Sequence, residues 1–242
     1  MENRRKEIEQ TLELPQSYQQ LWDNSFGVPR TEPRIYSLYR KNWGMQDPDT
    51  VRKYLTAHIL QYELIDEALG KLFDYLRKIN VYDLAWIFFV GDHGEMNCEN
   101  GLIDKGSYLN PRVIQVPLIV KPPLKQKATR IPSKRDATTT PFSFTRLDIP
   151  TTIVEPVSLL DIAPTILAIA GVEHTERMDG ENLFDIIAEM GRSSSKPILC
   201  EIWSHVMPNP CVGIIFIASD SNTYMYTYNA SDAIDELYKI DD

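Results

Sequence analysis

The chain holds only three cysteines, Cys98, Cys200 and Cys211, scattered across 242 residues. A disulfide framework or a zinc site needs closely spaced pairs, so neither organises this sequence, and all three thiols read as reduced and buried. No apolar run approaches the about 20 residues that cross a bilayer, which argues against a membrane span. The opening MENRRKEIEQ lacks the apolar core of a secretory signal, so the sequence as it stands reads as cytoplasmic. Basic side chains are outnumbered, 25 against 34 acidic ones, for a net charge of -9. A general nucleic-acid binder carries the opposite balance. Internal repeats and low-complexity runs are also lacking. What remains, 43% hydrophobic and 24% charged, is ordinary for a soluble globular protein of one large domain, or a domain with a small appendage.

Residues 84–106 stand out. The run LAWIFFV at 84–90 has no alternating polar partner. That pattern predicts a strand buried on both faces, as in a parallel sheet covered by helices. Gly91 follows, then Asp92, His93, Gly94 and Glu95. In open α/β sheets the working groups gather just past the carboxyl ends of strands. Asp offers a hard anionic oxygen and His an imidazole nitrogen, a usable ligand pair for a divalent cation. Lys105 would bring a point charge to an oxyanion held there. On chemistry alone a solvated turn fits this tetrapeptide equally well, because Asp and Gly are turn formers.

Along the chain, residues 1–46 read as irregular, interrupted by Pro15, Pro29 and Pro33, with Tyr18, Leu21, Trp22, Tyr36, Tyr39 and Trp43 as scattered anchors. A long amphipathic helix begins near Asp47 or Asp49, with Val51, Leu55, Ile59, Tyr62, Ile65, Leu69, Leu72 and Leu76 forming one stripe. His58 and Asp66, on or beside the stripe, read as structural. Residues 91–115 form a connection long enough to be functional or mobile. A strand follows at 116–120, and then a basic stretch containing Lys121, Lys125, Lys127, Arg130, Lys134 and Arg135. That stretch reads as a solvated loop, or as a positive rim drawing in an anion. Residues 138–150 read as extended. Ser158 and Asp161 begin a short helix that closes at Gly171 and packs on the sheet through Ile162, Ile166, Leu167, Ile169 and Ala170. Residues 183–190 read as a short helix and 191–195 as a surface loop. Strands are predicted at 197–203, 211–218 and 224–228, antiparallel because they lie close in sequence.

Several of these segments resemble the sulfatase family. Asp92-His93-Gly94-Glu95, Asn100-Gly101-Leu102, Lys105-Gly106, Arg112 and Val116-Pro117-Leu118-Ile119-Val120 follow its signature region in order. The stretch VSLLDIAPTILAIAG at 157–171, Asp179-Gly180 with Leu183, and Glu236-Leu237-Tyr238 match later segments. The resemblance implies an α/β class: part of an alkaline-phosphatase-like α/β/α core with a parallel or mixed sheet over residues 1–172. A small C-terminal α+β subdomain with antiparallel strands, residues 173–242, would follow. It also implies sulfuric ester hydrolysis by a formylglycine, with a divalent cation neutralising the sulfate oxygens. Calcium is the first expectation for that cation, with magnesium and manganese as alternatives. Asp92 and His93 would be metal ligands and Lys105 the catalytic sulfate contact, with Glu95 orienting the loop or a ligand.

The departures narrow that reading. No cysteine here opens a Cys-x-Pro-x-Arg motif, and no early strand ends in Asp-Asp. The chain therefore reads as the C-terminal half of a sulfatase, without its nucleophile and inactive alone, the formylglycine belonging to the missing half. Asn100 stands where the family usually has His, and an amide cannot act as a general acid. A sulfated small molecule or sugar is the expected substrate once the other half completes the site. Exposed strand edges point to a partner chain or self-association, with neither nucleic acid nor membrane as partner. Two other functions stay open: a phosphatase, phosphodiesterase or phosphonate hydrolase of the same superfamily, and a non-catalytic remnant serving as a binding module.

Overall fold

The structure, a computed structural model, describes residues 2–23, 32–124, 130–131, 142–143, 155–172, 177–189, 196–205 and 207–240. Three helices occupy the segment expected to be irregular: α1 (Glu2–Thr11), α2 (Gln16–Asp23) and α3 (Arg34–Asn42). Two of the prolines there, Pro15 and Pro33, begin helices instead of breaking them. Pro15 directly precedes α2 and Pro33 is the N-cap of α3, so no helical hydrogen bond is lost. Periodicity could not reveal α1, whose one buried residue is Ile8. It is held by Arg5–Glu9 and Arg4–Glu7 pairs along its own length, and by Arg4 reaching Glu63 of a fourth, longer helix.

That helix, α4 (Pro48–Lys78), starts as expected. The Asp47 side chain accepts the N–H of Asp49, and Pro48 sits in the first turn. Val51 and Leu55 are buried with Tyr18, Met45 and Cys98. Further along, the same stripe is open to solvent at Tyr62, Ile65 and Leu72. Each such side chain, about half exposed, leaves roughly 1 kcal/mol of burial unrealised.

β1 (Ile87–Val90) is shorter than the apolar run that predicted it. It pairs antiparallel with β2 (Leu118–Lys121), Ile87 opposite Lys121 and Val90 opposite Leu118, with the short helix α5 (Pro111–Ile114) between them. Two-sided burial is not what forms. Leu84, Phe89, Val90 and Ile119 are exposed, because this two-stranded sheet is covered mainly at one end. There Trp86 packs with Phe184, Ala168 and Ile169. Lys121 is not a rim cation: its ammonium donates to the carbonyls of Tyr82, Ala85 and Pro122.

The core sits around the segment after β1. Met96, Leu102, Tyr108 and Val113 are buried with Tyr36 and Tyr39 of α3. The long connection is thus a packed element.

Two residue pairs, β3 (Arg130–Ile131) and β4 (Phe142–Ser143), form a further antiparallel ladder. Lys125, Lys127, Lys134 and Arg135, most of residues 138–150, and residues 190–195 lie outside the described residues. Ser158 and Asp161 form a capping box ahead of α6 (Ile162–Ala170), which Gly171 closes in the left-handed region. The face of α6 expected on the sheet is divided, Ile169 packed and Ile166 exposed. Next comes α7 (Leu183–Glu189).

Four strands complete the chain: β5 (Ile198–His205), β6 (Met207–Ile217), β7 (Thr223–Asn229) and β8 (Glu236–Ile240), antiparallel in sequence order. The expected turn joins β6 to β7, with the N–H of Ala218 donating to the carbonyl of Asn222 at 2.9 Å. β8 is a fourth strand, beyond the three that the sequence predicts. The expected boundary between residues 172 and 173 borders residues 173–176, which lie outside the described residues.

The cysteines make one test. Burial pushes the Cys98 thiol up to about 12, with the charges of Glu95 and Glu99 adding to it, and pushes Cys211 up to about 11. Cys200 moves in the same direction through burial. Because the thiolate is the nucleophile, iodoacetamide at pH 8 is expected to leave all three unlabelled in the folded chain and to label them in urea. Rapid labelling of Cys98 without denaturant would contradict the packing around α2 and α4.

Candidate functional site

β1 ends at Val90, and the backbone turns at Gly91, whose N–H donates to the carbonyl of Pro117 at 3.2 Å. Asp92 and His93 come next, both exposed. The Asp92 carboxylate accepts the N–H of His93 at 3.0 Å. That bond, with the His93 ring and Lys105 as further causes, holds its carboxyl below the usual carboxylate range. His93 Nδ1 lies 2.9 Å from the carbonyl oxygen of Gly94, and an oxygen of that kind only accepts. The proton therefore sits on Nδ1, leaving a lone pair on Nε2. Lys105 Nζ, a pure donor, lies 3.1 Å from that Nε2 and requires the same tautomer. His93 Nε2 is also 3.7 Å from Asp92 Oδ2. Acid, imidazole and ammonium converge, as the sequence led one to expect.

Glu95 builds the loop that brings Lys105 there. Its Oε1 accepts the Tyr54 hydroxyl at 2.9 Å, the N–H of Asn97 at 3.2 Å and the N–H of Asp104 at 2.5 Å. One carboxylate oxygen thereby ties α4 to both ends of the loop, directly beside Lys105. On the next turn of α4, His58 Nδ1 lies 3.0 Å from Asn97 Oδ1 and braces the same loop. Asn97, Cys98, Asn100 and Asp104 all have positive φ, so the loop is tightly wound. Asn tolerates that conformation better than most side chains. Asn100 acts through its backbone: its N–H donates to Ser17 Oγ at 2.9 Å and its carbonyl accepts from Arg40 Nε at 2.7 Å.

Two further anchors had no signal in the sequence. His205, at the end of β5 beyond an irregularity in the β5–β6 register, has Nε2 3.2 Å from Asp104 Oδ2. Ser107 is buried and joined to His205 and Met207 by its hydroxyl, while its N–H donates to the Tyr39 hydroxyl at 3.0 Å. These contacts fix the far end of the loop to the C-terminal sheet. They come from residues about 100 positions apart, and no local pattern announces them.

As a metal site the arrangement is partial. A hard divalent cation would take the Asp92 carboxylate and the His93 Nε2 lone pair, which here accepts from Lys105 and would exchange that ammonium for the ion. Among the described residues, no group of three or more His, Cys, Asp or Glu side chains stands together to enclose such an ion.

Comparison with known proteins adds to this geometry. A family model described as Sulfatase matches residues 14–172. The N-acetylglucosamine-6-O-sulfatase of Bacteroides thetaiotaomicron is 26% identical over 183 residues, 74% of this chain and 28% of that protein. The choline-sulfatase of Rhizobium meliloti is 25% identical over 189 residues, 77% of this chain and 32% of that protein. Among solved structures, a 2-O GAG sulfatase superposes with a TM-score of 0.63 at 16% identity, covering 94% of this chain and 45% of that one. The phosphonate monoester hydrolase of Silicibacter pomeroyi gives 0.62 at 16% identity, covering 93% of this chain and 46% of that one. The chain thus spans about a third or less of the curated relatives' length, and just under half of the solved chains.

Proposed function

The chain belongs to the sulfatase family, and from that premise we propose that it supplies one side of a metal-dependent site for hydrolysing sulfate esters. The observation that carries the reading is the meeting of Asp92, His93 Nε2 and Lys105 Nζ at the end of β1. Asp92 and His93 would hold a divalent cation, calcium before magnesium or manganese. When bound, that ion supplies Lewis-acid withdrawal of charge from ester oxygens. The Lys105 ammonium, positioned by Glu95 through the N–H of Asp104, would pair with an anionic oxygen of a sulfated small molecule or sugar. Asn100 would shape the loop through its backbone and take no part in proton transfer.

The chain contains no Cys-x-Pro-x-Arg motif for a formylglycine, and its two metal ligands are few for a hard cation. The site is therefore completed by residues from elsewhere. A second reading, phosphonate or phosphate ester hydrolysis, is favoured by the shared fold with the phosphonate monoester hydrolase. Both substrate classes present tetrahedral oxyanions to the same metal and lysine.

The experiment has two parts. A colorimetric aryl-sulfate assay of this polypeptide is expected to show no turnover with calcium, magnesium or manganese. Robust metal-dependent turnover would contradict the incomplete site. Manganese titration, followed by paramagnetic broadening of the His93 ring signals, is expected to give weak affinity, with a Kd of about 1 mM or higher. Asp92→Asn should weaken that affinity further, and His93→Ala should remove site-specific relaxation enhancement of water. Both side chains are exposed, so the fold should be unchanged. Manganese affinity equal to the parent in both variants would overturn the ligand assignment.

A further inference from the structure

We propose that His205 is a positioning residue for Lys105. By taking up the Asp104 carboxylate, it keeps that acid from pairing with the neighbouring ammonium and leaves the charge of Lys105 open to an anion. The inference deepens the proposed function and rests on it only for the identity of that anion.

The strand that carries His205 breaks its own alternation to present it. Along β5, Ile198, Cys200 and Ile202 are partly buried while Leu199, Glu201 and Trp203 are exposed, the two-residue period of a sheet with one covered face. Continued regularly, that period would turn Ser204 inward and His205 to solvent. The β5–β6 register instead shifts between Ile202 and Ser204, so that Ser204 is exposed and His205 partly buried. Irregularities of this kind re-aim a side chain. The backbone of His205 is fixed in its new place. Its carbonyl accepts the Tyr39 hydroxyl at 2.9 Å, and its N–H donates to Ser107 Oγ.

What the imidazole meets is the residue directly before Lys105. A carboxylate only accepts, so His205 Nε2 donates to Asp104 Oδ2 at 3.2 Å. The backbone of Asp104 is held as well: its N–H donates to Glu95 Oε1 at 2.5 Å and its carbonyl accepts the Tyr108 hydroxyl at 3.2 Å. Its φ of 61° is one that Asp tolerates better than most side chains. Asp104 and Lys105 carry opposite charges on adjacent residues, and a lysine stem is flexible enough to fold back onto such a neighbour. Here it does not. Among the described residues Lys105 forms no ion pair, and its ammonium lies 3.1 Å from His93 Nε2. The ring of His205 is 35% exposed and the Asp104 side chain 40%, so burial does not force the two together. They meet because the register shift delivers the ring.

A plain brace between loop and sheet would work whatever charge it joined, whereas the role assigned to His205 requires Asp104 to be an acid. Lysine acetylation in chloride buffer, read peptide by peptide by mass spectrometry, separates the two, because an ion-paired ammonium gives up its proton less readily and reacts more slowly. Lys105 of His205→Ala, or of His205→Leu as an independent variant, is expected to react about two- to fivefold more slowly than in the parent, the range of one exposed ion pair. His205→Gln, whose amide can still donate to Asp104, should react like the parent. So should the double variant Asp104→Asn/His205→Ala, which removes the acid along with its partner and keeps a residue suited to positive φ. Lys71, paired with Glu67 on α4, is the internal reference, and urea midpoints establish that each variant is folded. A Lys105 rate in both single variants equal to or above the parent's overturns the proposal. A double variant as slow as His205→Ala also overturns it, leaving His205 a brace and nothing more. Repeating the parent reaction in sodium sulfate at matched ionic strength reads the proposed function separately. Slower acetylation of Lys105 there supports the oxyanion contact; an unchanged rate removes that contact, while the chloride rates alone decide the positioning.

Discussion

Gly94→Ala is expected to destabilise the chain by about 3 kcal/mol or more and to loosen the loop that carries Lys105. A Cβ at this position would stand 2.0 Å from the carbonyl oxygen of Arg112 and 3.1 Å from that of Val113. Both atoms are backbone of α5, and the Gly94 N–H donates to the Val113 carbonyl at 2.6 Å, which holds the two segments together. A flexible side chain could swing away from an added methyl group, but a helical carbonyl cannot move without its hydrogen bonds. The clash also lies one residue from His93, whose Nδ1 donates to the Gly94 carbonyl. Displacement there would turn Nε2 away from Asp92 and Lys105. Gly70→Ala is the control: its Cβ would meet nothing within 4 Å, in the exposed middle of α4. That variant should gain about 0.5–1 kcal/mol from helix propensity. Urea midpoints moving in opposite directions, with unchanged m-values, would bear out both statements. Alanine at 94 tolerated as well as alanine at 70 would refute the close approach.

Glu32→Gln should cost about 3–5 kcal/mol, the largest effect expected from a residue remote from Asp92 and His93. Arg40 is 2% exposed, and its guanidinium is held by both carboxylate oxygens of Glu32, itself 16% exposed. Its Nε donates to the carbonyl of Asn100, and Gly101 lies against its aliphatic stem. With the carboxylate gone, a buried positive charge keeps only neutral acceptors, so the penalty is desolvation without its Coulombic offset. The effect should reach the site, because Arg40 supports the turn at Asn100 and Gly101. Amides of residues 97–106 should exchange faster in Glu32→Gln than in the parent. Adding Arg40→Met removes the stranded charge and should recover part of the loss. A double variant less stable than Glu32→Gln would show that the guanidinium bond to Asn100, and not charge pairing, dominates.

The two substitutions show where sequence reading succeeds and where it stops. The place of Asp92 and His93 at a strand end was legible because they follow an apolar run directly, and the end of such a strand is fixed by local pattern. The start of α4 was legible from Asp47 and Pro48, and the opening of α6 from Ser158 and Asp161, since caps are contacts over two or three residues. The first three strands of the last sheet, β5, β6 and β7, showed through their β-rich composition. Helix α1 was hidden because it is stabilised by charge pairs and one isoleucine instead of a stripe. β1 was read as doubly buried because composition reports what a segment is suited to contact, and not whether that contact is made within this chain. The contributions of Arg40, Ser107 and His205 were invisible, since each reaches a partner far away in sequence.

The order of residues by itself determined the local chemistry: an acid and an imidazole placed side by side after a strand, a lysine twelve positions on, and helices begun by their own caps. Only the tertiary structure decided that the loop after β1 is the buried element, that Glu95 uses one oxygen to set the position of Lys105, and that Tyr62, Ile65 and Leu72 of the apolar row on α4 stay exposed. The physical reason is range. Caps, turns and periodicity act over a few residues, whereas burial and convergence depend on which distant surfaces meet, and among the described residues some apolar surfaces stay exposed.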